Sequence, residues 1–506
     1  LNAQLDVEYE WVAQMWGATT VQVYDIALDG DENVYAIGRF NGSSMYVNID
    51  NFWDGSAIPR PGSNDDFFIV KYDKNKNFIW GEVIGSARTD RGFSITTDNS
   101  DNVYITGVFN GANVSFGGIL LTSKNQGTSS TDGDTFVAKI NSSGTFLWAK
   151  SFGGTSTTAY GHSIAADPSG NVYVTGYFTG TINFNTYGGT EEKTAVGSGS
   201  NGYLLKLNSN GNFQWVNTYG ASGSDVIGRA VVADGSAIYV MGYFNGTVNF
   251  KSHNQSANYN VVGGPGYLAN YFIIRISQSL GYATGNIVIS RSGASGWSNG
   301  RTLALSGSNL YVTGEQGSNA FVAKYDASTL NNQWMKTFGA TARGNGIAVD
   351  GDGNVYTTGY FTGASFSPGG GGASLSKKGT RDAYLHVLDG NGNFLTAKQF
   401  GGPGAEVTGM GIKVAPSPSK AIYIGGYFGD YNIITDFDPN AGIANVKPFS
   451  ISSDGFIVKL NPMTCTTPSA PTATNQSFCA SENATISDLA VSGETGATFT
   501  WYNVST

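Results

Sequence analysis

The stretch Gly170-Asn171-Val172-Tyr173-Val174-Thr175-Gly176-Tyr177-Phe178 decides the fold, because related copies of it return along the chain. There are seven copies, of which the fifth is shortened to Leu310-Tyr311-Val312-Thr313-Gly314. The tyrosines that mark the copies follow one another after 69, 69, 66, 72, 45 and 67 residues, and they are Tyr35, Tyr104, Tyr173, Tyr239, Tyr311, Tyr356 and Tyr423. A unit that returns in this way predicts a fold built from repeats rather than around one central core.

Three other segments keep a fixed order around this phrase. An apolar segment that ends in an acidic turn comes before it, as in Ser163 to Asp167. A segment with a basic residue near its end, such as Phe136 to Lys139, comes after it, and a Trp segment such as Phe146 to Trp148 closes the unit. We name these segments A, B, C and D in chain order. Four short β-rich segments separated by turn residues predict a four-stranded blade, and therefore an all-β, seven-bladed β-propeller over residues 5–461.

The two ends of this repeat region complement each other. The last unit has segments A, B and C but runs into Asn461-Pro462 without a Trp segment. The chain instead opens with an unmatched Trp segment, Tyr9 to Gly17, which parallels Phe146 to Gly153. We expect this N-terminal strand to complete the last blade, because pairing it there removes an open sheet edge.

A glycine recurs within segment A, in most units six residues before the acidic turn. The glycines in question are Gly92, Gly161, Gly228, Gly300, Gly344 and Gly409. Segment A is the innermost strand of a blade, so we expect glycine there to allow close backbone approach around the axis. The alternative is a simple turn glycine.

Composition and charge exclude several classes of protein. Apolar residues make up 40% of the chain and charged residues 13%, which argues against disorder and against long helices. The net charge is −9 and the basic residues are spread singly, so nucleic acid is not expected as a partner. No apolar stretch approaches the length that spans a bilayer, so membrane insertion is not expected either.

The repeated units resemble the bacterial seven-bladed β-propeller repeat (SBBP-type) family, most clearly in Gly170 to Phe178. The resemblance covers about nine-tenths of the chain. The fourth unit departs from it in having no Trp in segment D, and the fifth in having a very short connection between B and C. The family resemblance implies the same propeller fold.

The tail has a different composition. Residues 462–475 are rich in Thr, Ser, Ala and Pro and predict a linker. Residues 476–506 resemble the start of an immunoglobulin-like module of type IX-secreted surface proteins of the Bacteroidetes, which implies export to the outer surface of the cell. This segment is too short for a complete sandwich, so we expect the natural protein to continue.

Two further expectations depend on export. Cys465 and Cys479 are candidates for a disulfide in an oxidising compartment. Residues 1–4 are either the remnant of a secretory signal or an ordinary frayed terminus.

Candidate chemistry is sparse. The three histidines, His162, His253 and His386, belong to different units and match no catalytic motif. We place His162 in a D–A connection beside the axis and expect His386 to be structural. The acidic clusters between A and B are interpreted as turns. Asp436, Asp438 and Asn440, in a long connection between B and C, are the candidate ligands of a structural calcium ion, and no other cofactor is expected.

The connections between B and C are long, and they emerge on the same face as the D–A connections. They span residues 42–65, 111–133, 180–201, 246–270, 363–381 and 429–453. Long loops on one face of a rigid scaffold are where binding usually resides. The candidate binding residues on them are Tyr46, Trp53, Tyr187, His253, Tyr259 and Tyr431.

These observations lead to a functional hypothesis with two alternatives. We expect a non-enzymatic, secreted or cell-surface adhesin whose loop-rich face binds a glycan or a protein. A specific version is docking on an outer-membrane secretion or gliding-motility assembly. The first alternative is a propeller enzyme acting on polysaccharide, a lyase or a glycosidase, which requires paired carboxylates or a His-metal site converging at the axis on the long-loop face. The second is a structural spacer.

Overall fold

The structure is a computed structural model. It describes residues 5–47, 56–62, 64–125, 133–220, 222–250, 260–262, 270–278, 283–290, 298–339, 341–363, 365–366, 374–429, 433–440 and 444–463. Every element of regular secondary structure within these ranges is a β-strand, as predicted for an all-β chain. No helix of the described part has the length and apolarity needed to cross a membrane. Residues 1–4, both cysteines and the predicted immunoglobulin-like segment 476–506 lie outside these ranges.

The strands of the first half of the chain reproduce segments A to D, with short extra strands between B and C. β1 (Val7–Trp16) precedes the first unit, and the first two units contain β2 (Thr20–Leu28), β3 (Val34–Asn41), β4 (Ser44–Val47), β5 (Ser56–Pro59), β6 (Asp66–Tyr72), β7 (Phe78–Ile84), β8 (Arg91–Thr97), β9 (Val103–Phe109), β10 (Val114–Phe116), β11 (Ile119–Leu121), β12 (Asp134–Ile140) and β13 (Phe146–Phe152). The next two contain β14 (Ala159–Ala166), β15 (Val172–Phe178), β16 (Thr181–Asn183), β17 (Glu192–Thr194), β18 (Asn201–Leu207), β19 (Phe213–Tyr219), β20 (Val226–Ala233), β21 (Ala237–Phe244), β22 (Thr247–Asn249), β23 (Asn260–Val262), β24 (Asn270–Ser277) and β25 (Ala283–Ser290).

The second half follows the same plan. Its strands are β26 (Ser298–Ser306), β27 (Asn309–Gln316), β28 (Asn319–Asp326), β29 (Asn332–Phe338), β30 (Ala342–Val349), β31 (Val355–Phe361), β32 (Ser365–Phe366), β33 (Leu375–Ser376), β34 (Asp382–Leu388), β35 (Phe394–Phe400), β36 (Glu406–Val414), β37 (Ile422–Gly429), β38 (Thr435–Asp436), β39 (Asn445–Val446) and β40 (Ser453–Pro462).

Strands A, B, C and D of a unit lie side by side as an antiparallel meander. Separate four-stranded sheets of this kind are β8-β9-β12-β13, β14-β15-β18-β19, β20-β21-β24-β25, β26-β27-β28-β29 and β30-β31-β34-β35. A larger sheet contains two further meanders, β2-β3-β6-β7 and β36-β37-β40-β1. They are joined by one parallel residue pair between β2 and β40 and by antiparallel pairing of β1 with β4. The A strands contact one another in succession, and β36 contacts β2, so they enclose a common axis.

The N-terminal strand supplies the missing D strand, as predicted. β1 pairs antiparallel with β40 from Val7 opposite Pro462 to Met15 opposite Gly455. β40 therefore ends at Pro462, one residue beyond the predicted boundary. Trp11 and Met15 of β1 are buried in one cluster with residues of β2, β3 and β6, so the last meander packs on the first.

The repeated Trp and Lys side chains connect successive meanders. Trp80 Nε1 and Lys71 Nζ both donate to the carbonyl oxygen of Ser142, in the C–D turn of the next meander, at 3.2 and 3.1 Å. Trp11 Nε1 and Lys459 Nζ donate in the same way to the carbonyl of Lys74, at 3.0 Å each. The same contact is thus repeated where the two ends of the chain meet.

The acidic turns between A and B are confirmed as turn chemistry. Asp167 accepts hydrogen bonds from the backbone and side-chain amides of Asn171, and from the hydroxyl of Tyr173 at 2.9 Å. Equivalent bonds are present at Asp29, Asp98 and Asp350. The marker tyrosine of each of these units is therefore a partner of its own turn, and an Asp-x-x-x-Asn-x-Tyr pattern stabilises the A–B hairpin.

Candidate functional site

Every A strand contains one β-bulge, and the bulge directs a side chain to the axis. In β14 the register against β15 shifts between Gly161 and Ser163, so His162 is the extra residue. The equivalent bulge residues are Tyr24, Phe93, His162, Arg229, Arg301, Asn345 and Met410. All of them line one channel along the axis. A bulge re-aims a side chain in this way without ending the strand.

The predicted close approach of segment A is confirmed. A Cβ atom on Gly161 would lie 2.3 Å from Oγ1 of Thr106 in the preceding meander, and one on Gly228 would lie 2.2 Å from Oγ1 of Thr175. The A-strand glycines therefore allow adjacent meanders to pack closely around the axis. They are not simple turn residues.

The axial channel is narrow, with aromatic rings on one side and arginines on the other. Tyr24 stacks on Phe93 with ring centroids 6.0 Å apart, and Phe93 meets His162 edge to face at 5.7 Å. Arg229 and Arg301 line the other side. The channel volume of about 120 Å³ is smaller than that of typical small-molecule sites. A ligand is therefore better accommodated at the mouth of the channel than inside it.

Asp25 is the one carboxylate among the described residues that line the channel. It accepts hydrogen bonds from Ser94 Oγ at 2.9 Å and from the backbone of Ile95 at 3.1 Å. Burial raises the pKa of the Asp25 carboxyl, and the ammonium group of Lys413 opposes that rise. These hydrogen bonds connect Asp25 to the neighbouring A strand, and we therefore assign Asp25 a structural role.

His162 lies within strand β14, not in the D–A connection where the sequence analysis placed it. Its Nδ1 is 2.9 Å from the carbonyl oxygen of Gly228. Burial and, to a smaller extent, the positive charge of Arg229 lower the pKa of His162 to about 3. The imidazole is therefore neutral at physiological pH.

We expect His162→Gln to reduce the loss of folding stability that the wild type shows at acidic pH. The unfolded chain binds a proton at His162 below about pH 6.5, whereas the folded chain does not until about pH 3. Stability is therefore lost as pH falls through 6.5, and the variant should gain about 2 kcal/mol relative to the wild type between pH 7.5 and 5. Urea unfolding of both proteins at the two pH values measures this. A difference between the proteins that does not change with pH contradicts it.

Arginines cluster around the mouth of the channel, on A strands and at the adjacent ends of strands B and C. Six of the ten arginines of the chain lie there: Arg39, Arg91, Arg229, Arg301, Arg343 and Arg381. Asp65 lies between two of them, 3.2 Å from Arg39 and 3.1 Å from Arg91. Glu315 bridges Arg301 and Arg343 in the same way. The two carboxylates hold four guanidinium groups in place around the opening.

Arg229 differs from these arginines because it forms no ion pair within the described part of the chain. Its guanidinium lies 5.3 Å from the ring centre of Tyr243. A cavity of about 380 Å³ opens beside it and is lined by His162, Tyr177, Ser200, Asp225, Ile227, Arg229, Tyr243 and Asn245. We name this space the Arg229 cavity. It shares His162 and Arg229 with the axial channel.

The loop aromatics predicted as binding residues do not converge. Tyr46 stacks on Trp16 at 4.2 Å, and half-exposed Tyr187 lies under the ammonium group of Lys150 at 4.1 Å. Neither residue lines the channel or the Arg229 cavity. Four other predicted positions lie outside the described residues: Trp53, His253, Tyr259 and Tyr431. Ligand binding by these side chains stays a prediction.

The B–C connections contain short hairpins that the sequence analysis missed. They are β4–β5, β10–β11, β16–β17, β22–β23, β32–β33 and β38–β39. In most of them a buried phenylalanine anchors the hairpin to its own meander, as Phe116 does against Phe136 at 5.2 Å. The sequence feature that could have predicted these hairpins is an apolar-x-Phe triplet after segment B, such as Val114 to Phe116 or Ile182 to Phe184.

The candidate calcium ligands are engaged in hydrogen bonds, those of Asp436 and Asp438 within their own loop and those of Asn440 also to strands β35 and β1. Asp436 Oδ1 accepts from the backbone of Asp438 at 3.0 Å, and Asp438 Oδ1 accepts from the backbone of Asn440 at 2.9 Å. The Asn440 amide oxygen accepts from Lys398 Nζ at 2.7 Å. No group of three or more acidic, His or Cys side chains arranged for a metal occurs within the described ranges. Calcium binding stays a prediction.

Known proteins support the architecture. Residues 147–182 and 333–366 match the family described as Beta-propeller repeat (SBBP). The chain is a β-propeller protein. Both matches fall where a D strand, the following A strand and the marker phrase succeed one another, so they cover the most regular part of the propeller.

More distant similarities extend over larger regions. An uncharacterized WD repeat-containing protein of Acanthamoeba polyphaga mimivirus is 24% identical over 277 residues, which are 47% of this chain and 19% of that protein. The propeller chain thus spans about a fifth of that relative's length. The structure of the Dos1 propeller is similar with a TM-score of 0.42 and 8% identity, covering 89% of this chain and 95% of that one. A protein of unknown function from Dyadobacter fermentans has a TM-score of 0.39 and 10% identity, with coverages of 92% and 100%.

Proposed function

We propose that this propeller is a non-enzymatic binding module that presents the mouth of its axial channel to a glycan or protein at the cell surface. The observation that carries the proposal is the collection of six arginines with tyrosines at one opening of a chain whose net charge is −9. Arg and Tyr are enriched where binding energy is concentrated. Arginines held by Asp65 and Glu315 are pre-organised, so binding orders little that is not already ordered.

The proposal includes a ring of seven blades over residues 5–462. Each marker tyrosine lies in the B strand of its own meander, and β1 pairs with β40 to complete the last meander. It also includes export, with a linker that begins after Pro462 and ends at residue 475, and with 476–506 as the start of an immunoglobulin-like module. The protein acts either as an adhesin or as a surface protein docked on an outer-membrane secretion or motility assembly. Both roles use the mouth of the axial channel.

Binding is favoured over the polysaccharide-enzyme alternative by the state of the carboxylates. Paired-carboxylate hydrolysis needs two acids about 5–10 Å apart that are free to exchange protons or attack. Asp65 and Glu315 are each committed to two arginines, and Asp25 is bonded to the neighbouring A strand. The described carboxylates at the mouth therefore position arginine side chains and do not form a pair of proton donor and nucleophile.

The test compares two charge-matched double variants on a glycan array and in a pull-down from outer-membrane extract. Arg343→Gln with Arg381→Gln changes the mouth, and Lys74→Gln with Lys336→Gln changes exposed positions on a C–D turn and an outer strand. We expect the mouth variant to lose at least about tenfold in affinity, because charge-assisted bonds to the ligand are removed. The control variant should bind like the wild type. Equal binding by both variants, or no wild-type binding in either assay, contradicts the proposal and favours a spacer.

A further inference from the structure

We propose that the Arg229 cavity binds the carboxylate of an acidic sugar, a hexuronate residue within a glycan. This inference rests on the proposed function, because it names the ligand class for the same mouth. It starts from the one arginine of the mouth whose charge is not matched within the described residues.

The other arginines of the mouth have carboxylate partners. Arg39 and Arg91 share Asp65, and Arg301 and Arg343 share Glu315. Arg381 lies 4.0 Å from Glu406. Among the described residues, Arg229 packs on the face of Tyr243, lines the cavity beside the neutral His162 and forms no ion pair. A guanidinium that packs on an aromatic ring keeps its N–H edge available for a bidentate carboxylate.

The surroundings of Arg229 have a local surplus of positive charge. Arg301 lies near enough that Arg229 contributes to lowering its pKa, after burial and the charge of Arg343. Glu315 is the single carboxylate shared by Arg301 and Arg343. An anion placed beside Arg229 therefore meets favourable charge from more than one side.

Asp225 is the carboxylate in the wall of the cavity, and it is already engaged. Its Oδ1 accepts from the backbone of Ser200 at 2.8 Å, and its Oδ2 accepts from Asn245 Nδ2 at 3.3 Å. It forms no ion pair with Arg229 within the described residues. It fixes Asn245 in place while leaving Arg229 to an incoming group.

The rest of the lining suits a sugar ring. Tyr177 and Tyr243 offer aromatic surface and hydroxyls that form no hydrogen bond among the described residues, and Asn245 and Ser200 add amide and hydroxyl groups. A volume of about 380 Å³ is in the range of small-ligand sites. One unmatched cation among aromatic and neutral polar groups fits one carboxylate on a ring of hydroxyls. An extended acidic peptide would instead need several free cations in a row.

The experiment is calorimetric titration with trigalacturonate, its methyl ester, neutral galactotriose and hexaglutamate. The proteins are the wild type, Arg229→Met, Arg229→Lys and the control Lys336→Met, which removes the same charge from an exposed position on an outer strand. We expect trigalacturonate to bind the wild type at least about tenfold more tightly than the ester or the neutral sugar. Arg229→Met should lose that preference, Arg229→Lys should keep part of it, and Lys336→Met should keep all of it.

Three results overturn the inference. They are equal binding of the ester and the acid, equal affinity of Arg229→Met and the wild type, and Arg229-dependent binding of hexaglutamate without binding of trigalacturonate. If the wild type binds another glycan or a protein and Arg229→Met binds it equally well, the proposed function stands and this inference fails. If the wild type binds nothing on the arrays or in the extract, both fail. Unchanged thermal unfolding of Arg229→Met and Arg229→Lys shows that any loss is not misfolding.

Discussion

Deletion of residues 1–16 is expected to open the propeller and to lower its free energy of unfolding by at least about 5 kcal/mol. The deletion removes β1, whose Val7, Ala13 and Met15 are fully buried. It also removes the bond from Trp11 Nε1 to the carbonyl of Lys74 across the junction. The edge of β40 then loses its partner from Gly455 to Pro462, and an unpaired edge favours aggregation.

The matched control is deletion of residues 1–4, which leaves every β1–β40 residue pair in place. We expect its thermal midpoint to equal that of the wild type, whereas the longer deletion should unfold at a much lower temperature and elute as larger species. A synthetic peptide of residues 5–17 added to the longer deletion should restore the midpoint in part. An unchanged midpoint in the longer deletion would show that the ring does not depend on β1.

The sequence was sufficient for the repeats because their regular residues are scaffold. Tyr173 bonds its own turn, and Lys71 and Trp80 bond the next meander, so each copy needs the same residue type. The closing pair of strands was predictable because the last unit lacks a Trp segment, whereas the N-terminus begins with an unmatched one. The B–C hairpins were missed because each is short, as with Val114–Phe116, and because the connections differ in length between units.

The candidate site was not predictable in the same way. The bulge residue follows the A-strand glycine, but the position holds Phe93, His162, Arg229, Asn345 and other types, so no repeat signal marks it. Of the residues that follow these glycines, the sequence analysis placed only His162 beside the axis. The loop aromatics Tyr46 and Tyr187 were predicted as binding residues, but Tyr46 packs on Trp16 and Tyr187 lies beneath Lys150.

The glycine of the marker phrase carries the second large prediction. Gly176→Ala is expected to lower the free energy of unfolding by about 3 kcal/mol, because the added methyl has no room. A Cβ atom at Gly176 would lie 1.7 Å from the carbonyl oxygen of Tyr160 and 2.8 Å from its carbonyl carbon. Equivalent glycines of the other units meet an A-strand carbonyl at 1.8 to 2.1 Å: Gly38, Gly107, Gly242, Gly314, Gly359 and Gly426. The bulge that turns His162 to the axis brings β14 this close to β15, so the substitution should also disturb the Arg229 cavity.

Gly351→Ala is the matched control for this prediction. It makes the same chemical change on an exposed A–B turn where no atom lies within 4 Å of the new Cβ, and it should change stability by less than about 0.5 kcal/mol. Urea unfolding of the two variants separates a steric effect from the general effect of replacing glycine by alanine on the unfolded chain. If Gly176→Ala unfolds like Gly351→Ala, then β14 and β15 can separate at no cost, and the bulge does not fix the axial side chains. If Gly176→Ala is destabilised and also loses ligand affinity at temperatures where it remains folded, the repeated glycine links the scaffold to the site.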